Sequence, residues 1–126
     1  MKLIMSVIVL VFIYATISAQ KQKPKPCEDA QTQAEMNICW GNEYKKADAA
    51  LNKAYQQLSA MLDDEQKVQL KNAENAWIKY RDANCEFAAD QYKGGSIRPM
   101  IAALCLADVT NNRTTELRNQ IKDRNQ

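Results

Sequence analysis

Thr32-Gln33-Ala34-Glu35-Met36-Asn37-Ile38-Cys39-Trp40-Gly41-Asn42-Glu43-Tyr44 opens the stretch that decides the fold. Thr32 and Glu35 stand at capping-box spacing, where the threonine oxygen accepts from a first-turn amide and the glutamate reaches back to the cap. From Met36 onward, Trp40, Tyr44, Ala47, Leu51, Tyr55, Leu58 and Leu62 recur every three or four residues, which is the apolar stripe of one amphipathic helix. Gly41 inside it costs about 1 kcal/mol relative to alanine, little beside the burial of that stripe. The spacing predicts a helix over 33–62.

Downstream, Asp63-Asp64-Glu65 breaks the stripe and supplies an N-cap with acids favourable to a helix dipole, so a tight turn leads into a second helix over 65–92. Its stripe reads Val68 or Leu70, Ala73, Trp77, Tyr80, Asn84, and Phe87 or Ala88. Gly94-Gly95-Ser96 ends it, and Pro99 suits the first turn of a third helix over 98–122, carrying Ile101, Leu104, Cys105, Val109, Leu117 and Ile121 around a polar middle at Thr110 to Arg113. Alternation of apolar and polar residues over a strand length is absent. The expected fold class is therefore all-α: an antiparallel three-helix bundle, made of a long helical hairpin with a third helix packed on it. The aromatic residues Trp40, Tyr44, Tyr55, Trp77 and Tyr80, at helical spacing, are read as core.

Upstream, Lys2 precedes an apolar run from Leu3 to Ile17 that ends in Ser18-Ala19, the layout of a secretory signal peptide over 1–19. Residues 20–26, basic and proline-punctuated, read as a disordered leader, and 27–126 as one helical domain. Loss of residues 1–19 takes Lys2 with it, leaving 16 of the 17 Lys and Arg against 15 Asp and Glu. Such a balance does not point to nucleic acid. No stable membrane insertion is expected once the leader is cleaved, and the oligomeric state is not legible.

Four cysteines, Cys27, Cys39, Cys85 and Cys105, form an even set suited to an oxidising compartment. Cys85 and Cys105 lie about equally far from the glycine turn, Cys39 near the start of the first helix lies at a similar height, and the leader returns Cys27 to that end. Three pairings are possible; the shared pole favours Cys85–Cys105 with Cys27–Cys39. With no histidine and no Cys-x-x-Cys pair, neither a metal centre nor a cofactor is expected, and the chain is read as a binding module rather than an enzyme.

Counting from the Asp63-Asp64 turn brings Arg81 to the level of Asp48, which predicts an interhelical ion pair. Arg113, counted from the glycine turn, reaches the level of Trp77 and is placed to stack on its indole or join Asp48. Asn37 and Asn52 flank that level, so Asn37, Asp48, Asn52, Arg81, Asp82 and Arg113 are read as one structural polar network. For recognition the candidate is the turn Lys93, Gly94, Gly95, Ser96, Ile97 and Arg98, where glycines allow close approach of backbone amides and Ile97 with the flanking bases supplies contact.

Cys27-x4-Thr32-Gln33-x-Glu35-Met36-Asn37-x-Cys39, Tyr44-x3-Asp48-x2-Leu51-Asn52-x2-Tyr55, Trp77-x3-Arg81-Asp82-x2-Cys85, Tyr92-x-Gly94-Gly95-Ser96 and Cys105-x4-Thr110-x2-Arg113 occur in that order. Together they resemble the N-terminal domain of the bacterial LprI-like lysozyme-inhibitor family. The resemblance implies an exported helical domain, periplasmic or extracellular, whose partner is a lysozyme. It lacks the lipidation cysteine of the family's naming lipoprotein. On this reading the domain occludes a lysozyme cleft by protein–protein contact; the alternative is an envelope interaction or structural protein that inhibits nothing. Lysozymes are basic, and this chain offers no acidic excess, so affinity must come from shape and local patches.

Overall fold

Three α-helices of 27 residues each build the molecule: α1 (Gln33–Ser59), α2 (Asp64–Asp90) and α3 (Arg98–Arg124). The structure is a computed structural model that describes residues 25–126. The expected leader over 1–19, and most of the basic segment that follows it, lie outside the described residues. Among the described residues no strand occurs, and no helix is long and apolar enough to cross a membrane.

Local sequence sets each helix end. Thr32 Oγ1 accepts from the Glu35 amide at 3.2 Å while the Glu35 carboxylate accepts from the amides of Thr32 and Gln31 at 3.1 and 2.8 Å. Asp63 caps α2 the same way, exchanging hydrogen bonds with Gln66. At its far end α1 stops at Ser59, three residues short of the expected 62. The amides of Met61 and Leu62 bond three residues back, to Leu58 and Ser59, which tightens the chain into the turn while Leu62 stays buried.

The expected all-α three-helix bundle forms, with its principal packing between α1 and α3. α3, not α2, lies closest to α1, with Cα atoms of the two helices repeatedly within 8 Å, whereas α1 and α2 hardly approach. Gln33 meets Met100 at one end and Leu58 clusters with Leu117 at the other, so α1 and α3 run parallel and α2 runs antiparallel to both. Side-chain size is the cause. Ala47, Ala54, Ala107, Thr110 and Thr114 are all buried, and such small residues let two backbones close on each other. Thr110 and Thr114, read from sequence as a polar middle, thus belong to the core; Thr114 satisfies its hydroxyl on the Thr110 carbonyl at 2.9 Å. Leu51, Leu58, Leu62, Leu70 and Leu117 fill the distal half, with Tyr55, Trp77 and Ile121 packed against them.

The expected disulfides, Cys27–Cys39 and Cys85–Cys105, are both formed. Cys27 takes a left-handed φ of 65°, a conformation uncommon outside glycine, and its bridge to Cys39 fixes the entry of the chain onto α1.

The capping box has a consequence for acid stability. Backbone hydrogen bonds from Gln31, then Thr32, hold the Glu35 carboxyl below its ordinary 4.5. A folded-state value below the unfolded one gives stability that is present above pH 4.5 and lost as pH falls through the lower folded value. Glu35→Gln keeps the box, since glutamine serves at this position, but removes the titration. In urea melts followed by circular dichroism, the wild type should exceed the variant at pH 7 and converge on it below pH 4.5; a constant gap would contradict the assignment.

Candidate functional site

The buried face of α2 is Leu70, Glu74, Trp77, Arg81, Cys85 and Ala89, at steps of four, three, four, four and four. Two of these are charged: Glu74 is 7% exposed and Arg81 9%. The sequence expectation took their neighbours, Ala73 and Tyr80, and offered Val68 and Phe87 as alternatives. All four are exposed, Tyr80 at 60% and Phe87 at 83%, so Tyr80 is not core. The face is turned by one residue because α2 stands off from α1, and only long side chains with polar ends span the gap.

Arg81 is the longest of them. Its guanidinium lies over the Trp77 ring of its own helix at 5.2 Å and over the Tyr44 ring at 5.7 Å from the centroids, the second a cation–π contact that ties α2 to α1. Its Nε and Nη2 donate to Asp82 Oδ1 at 2.8 Å, and Nη1 stands 3.9 Å from Asp48 Oδ1. Asn52 Nδ2 donates to the other Asp48 oxygen at 3.3 Å. The structure thus brings Asp48, Asn52, Arg81 and Asp82 together.

Arg113 and Asn37 lie elsewhere. Arg113 neither stacks on Trp77 nor reaches Asp48, because Arg81 already occupies that indole. Its Nε instead donates to Glu74 Oε1 on α2 at 2.8 Å, and its Nη1 to Glu116 on α3 at 2.6 Å. Desolvation pulls the guanidinium pKa down, but hydrogen bonds and charge from Glu74 and Glu116 outweigh it and raise it above its ordinary value. Glu74 was missed in the sequence, although it sits four residues after Leu70 and seven before Arg81. That spacing marked the face; the charge hid it.

A groove of about 270 Å³ runs between α1 and α2 over this set, walled by Asp48, Asn52, Tyr55, Glu74, Ile78 and Arg81. Both carboxylates are engaged by partners, so the groove presents polar contacts rather than a free acid–base pair. Among the described residues no group of three or more Cys, Asp or Glu is placed to hold a metal ion.

At the opposite end of this polar set, the turn between α2 and α3 stands out from the bundle. Lys93, Gly94, Gly95 and Ser96 are exposed, with Ile97 and Arg98 half-buried beneath them. Gly94 has φ +82°, which asks for glycine, and a Cβ on Gly95 would meet the Tyr92 carbonyl at 3.2 Å. Three ties hold the turn. Asn37 Nδ2 donates to the Ser96 carbonyl at 3.1 Å, Arg98 pairs with Glu86, and Cys85–Cys105 closes the helix ends on either side. Asn37 therefore serves the turn and not the network around Arg81. Glu28, Asp29 and Glu35 are exposed on the segment closed by Cys27–Cys39.

Stability ranks the two ion pairs differently. Glu74→Ala leaves the mostly buried Arg113 guanidinium with only the exposed Glu116 as partner, a loss of about 2 kcal/mol. Asp48→Ala removes a half-exposed carboxylate 3.9 Å from Arg81 and costs under about 1 kcal/mol. Urea denaturation at pH 7 measures both; equal losses would overturn the ranking.

Comparison with known proteins gives the arrangement a family. The family model described as lysozyme inhibitor LprI matches residues 25–117, which spans both disulfides, the turn and the polar set. An uncharacterised protein of Rhizobium meliloti (strain 1021) is 39% identical over 117 residues, covering 82% of this chain and 84% of the relative. No solved structure matches. With the match running from ahead of the first cysteine to the core residue Leu117, the chain belongs to the LprI lysozyme-inhibitor family.

Proposed function

We propose that the oxidised domain is an exported inhibitor that blocks the cleft of a peptidoglycan-cleaving lysozyme with the turn Lys93 to Arg98, acting by occlusion and not by reaction. The family match across 25–117 carries the choice of partner. Disulfides persist in oxidising compartments, so the two bridges suit a protein that works outside the cytoplasm.

The turn suits a cleft for reasons of shape and entropy. It is narrow, since two glycines carry no side chains, and it is tied at three points, so little freedom is lost on binding. Charge favours the same pole. The whole chain is nearly neutral, but Glu28, Asp29 and Glu35 are exposed on the segment closed by Cys27–Cys39, acids that a basic partner can meet. A lysozyme cleft works through two carboxylates flanking the glycan; Lys93 at the tip brings a cation to them, while Glu28, Asp29 and Glu35 face the basic surface around the cleft.

Inhibition of several lysozyme types in a turbidity assay on bacterial walls tests the reading. The wild type should inhibit at least one type, reversibly, with affinity that falls as salt rises. Ser96→Trp, which sets an indole on the exposed tip without touching the carbonyl that Asn37 binds, should weaken inhibition at least tenfold while leaving helicity unchanged. If the wild type inhibits no lysozyme, the envelope-binding reading replaces this one; if Ser96→Trp inhibits as well as wild type, the contact lies away from the turn.

A further inference from the structure

We propose that the outer face of α2 is a self-association surface, through which two copies of the chain pair antiparallel across a two-fold axis. Ala73, Ala76, Tyr80, Ala83 and Phe87 recur at steps of three, four, three and four, the spacing by which one helix packs against another. All five are exposed. Phe87, at 83% exposure, and Tyr80, at 60%, are the two large side chains of the row. Aromatic residues repeated seven apart on one helical face, with alanines between them, form a ridge with room beside each ring, and the bundle itself leaves that ridge uncovered.

The row is complementary to itself in one direction. A two-fold axis passing between Arg81 and Asp82 sets Tyr80 against the partner's Ala83 and Phe87 against the partner's Ala76. Each ring then meets an alanine, and the two-fold repeats both contacts. A parallel pairing in register would instead set ring on ring and alanine on alanine, leaving voids. Charge selects the same direction. Lys79 and Glu86 flank the row on one side, seven residues apart. Antiparallel pairing puts Lys79 on the same side of the seam as the partner's Glu86, about two residues off level and within reach of its long side chain, whereas a parallel two-fold puts them on opposite sides. Glu86 is well exposed even while it pairs with Arg98, so it can bridge both cations. These two complementarities commit the face to a second copy of this chain.

The geometry also keeps the glycine turns free. Gly94 lies about 12 residues from the axis, roughly 19 Å along the helix at 1.5 Å per residue. The two turns of a dimer would sit at opposite ends, about 40 Å apart, each open to its own partner. A single helix pair is a small interface, so association in the micromolar range is expected.

Sedimentation velocity on the oxidised protein, from about 1 to 200 μM, should show a monomer–dimer equilibrium. Phe87→Asp and Tyr80→Asp, both at exposed sites, should weaken it at least tenfold with unchanged circular dichroism. Lys79→Glu should weaken it as well, and Lys79→Glu combined with Glu86→Lys should restore it, which fixes the antiparallel sense. A wild type that stays monomeric at 200 μM would overturn the proposal, as would dimers that survive Phe87→Asp. A monomeric wild type whose lysozyme inhibition is lost on Phe87→Asp would assign the face to the lysozyme instead.

Discussion

The close approach of α1 and α3 is the constraint from which the rest of the architecture follows. Alanines at 47, 54 and 107 and threonines at 110 and 114 leave almost nothing between the two helices, so their backbones close on each other in parallel. Three helices of equal length cannot all meet on small residues when α2 offers Trp77, Arg81 and Glu74 on its inner face. α2 is therefore held off from α1. The gap is spanned by an arginine stacked on two rings, and what remains open is the groove beside it. The groove is thus a by-product of how the bundle closes, with its polar atoms committed to one another.

Buried charge of this kind contributes more to the definition of one arrangement than to net stability, because desolvation offsets much of the attraction. Arg81 fixes the height of α2 against α1, and Glu74 with Arg113 fixes it against α3. At the other pole Cys85–Cys105, the Asn37 bond and the Arg98–Glu86 pair fasten the turn, and Cys27–Cys39 fastens the entry to α1. The polar core and the stapled turn are therefore separated along the long axis. A polar core specifies the packing in the middle, and a covalently stapled end presents a narrow tip.

Much of this was legible in the sequence where the signal is local or periodic. Thr32 with Glu35, the acids from 63 and Pro99 mark helix starts through chemistry confined to one turn, and the even cysteine set, with Cys85 and Cys105 about equally far from the glycine turn, led to the pairing. What was not legible depends on which helices touch. Short loops suggest that α1 and α2 are neighbours, but the size of the residues on α3 decides the matter, and Thr110 and Thr114 read as polar until their faces are known. Ala73 and Tyr80 were preferred to Glu74 and Arg81 because apolar residues are the usual mark of an inner face; the two rows lie one residue apart and are equally regular. Arg113 was misdirected for the same reason, its partner being an acid that hydropathy places outside. Tyr80 and Phe87 look like core in any periodicity count, and only the fold shows them facing outward.

The most direct test of the α1–α3 contact is to place the same bulk on two faces of one helix and compare urea denaturation. Ala54, 1% exposed, lies in the contact, while Ala49 on the same helix is exposed. Ala54→Leu should cost about 1–3 kcal/mol by forcing the two helices apart, and Ala49→Leu should fall within about 0.5 kcal/mol of wild type. Equal tolerance of leucine at both positions would mean that α1 and α3 are not in close contact, and the explanation of the polar gap and of the displaced α2 would fall with it.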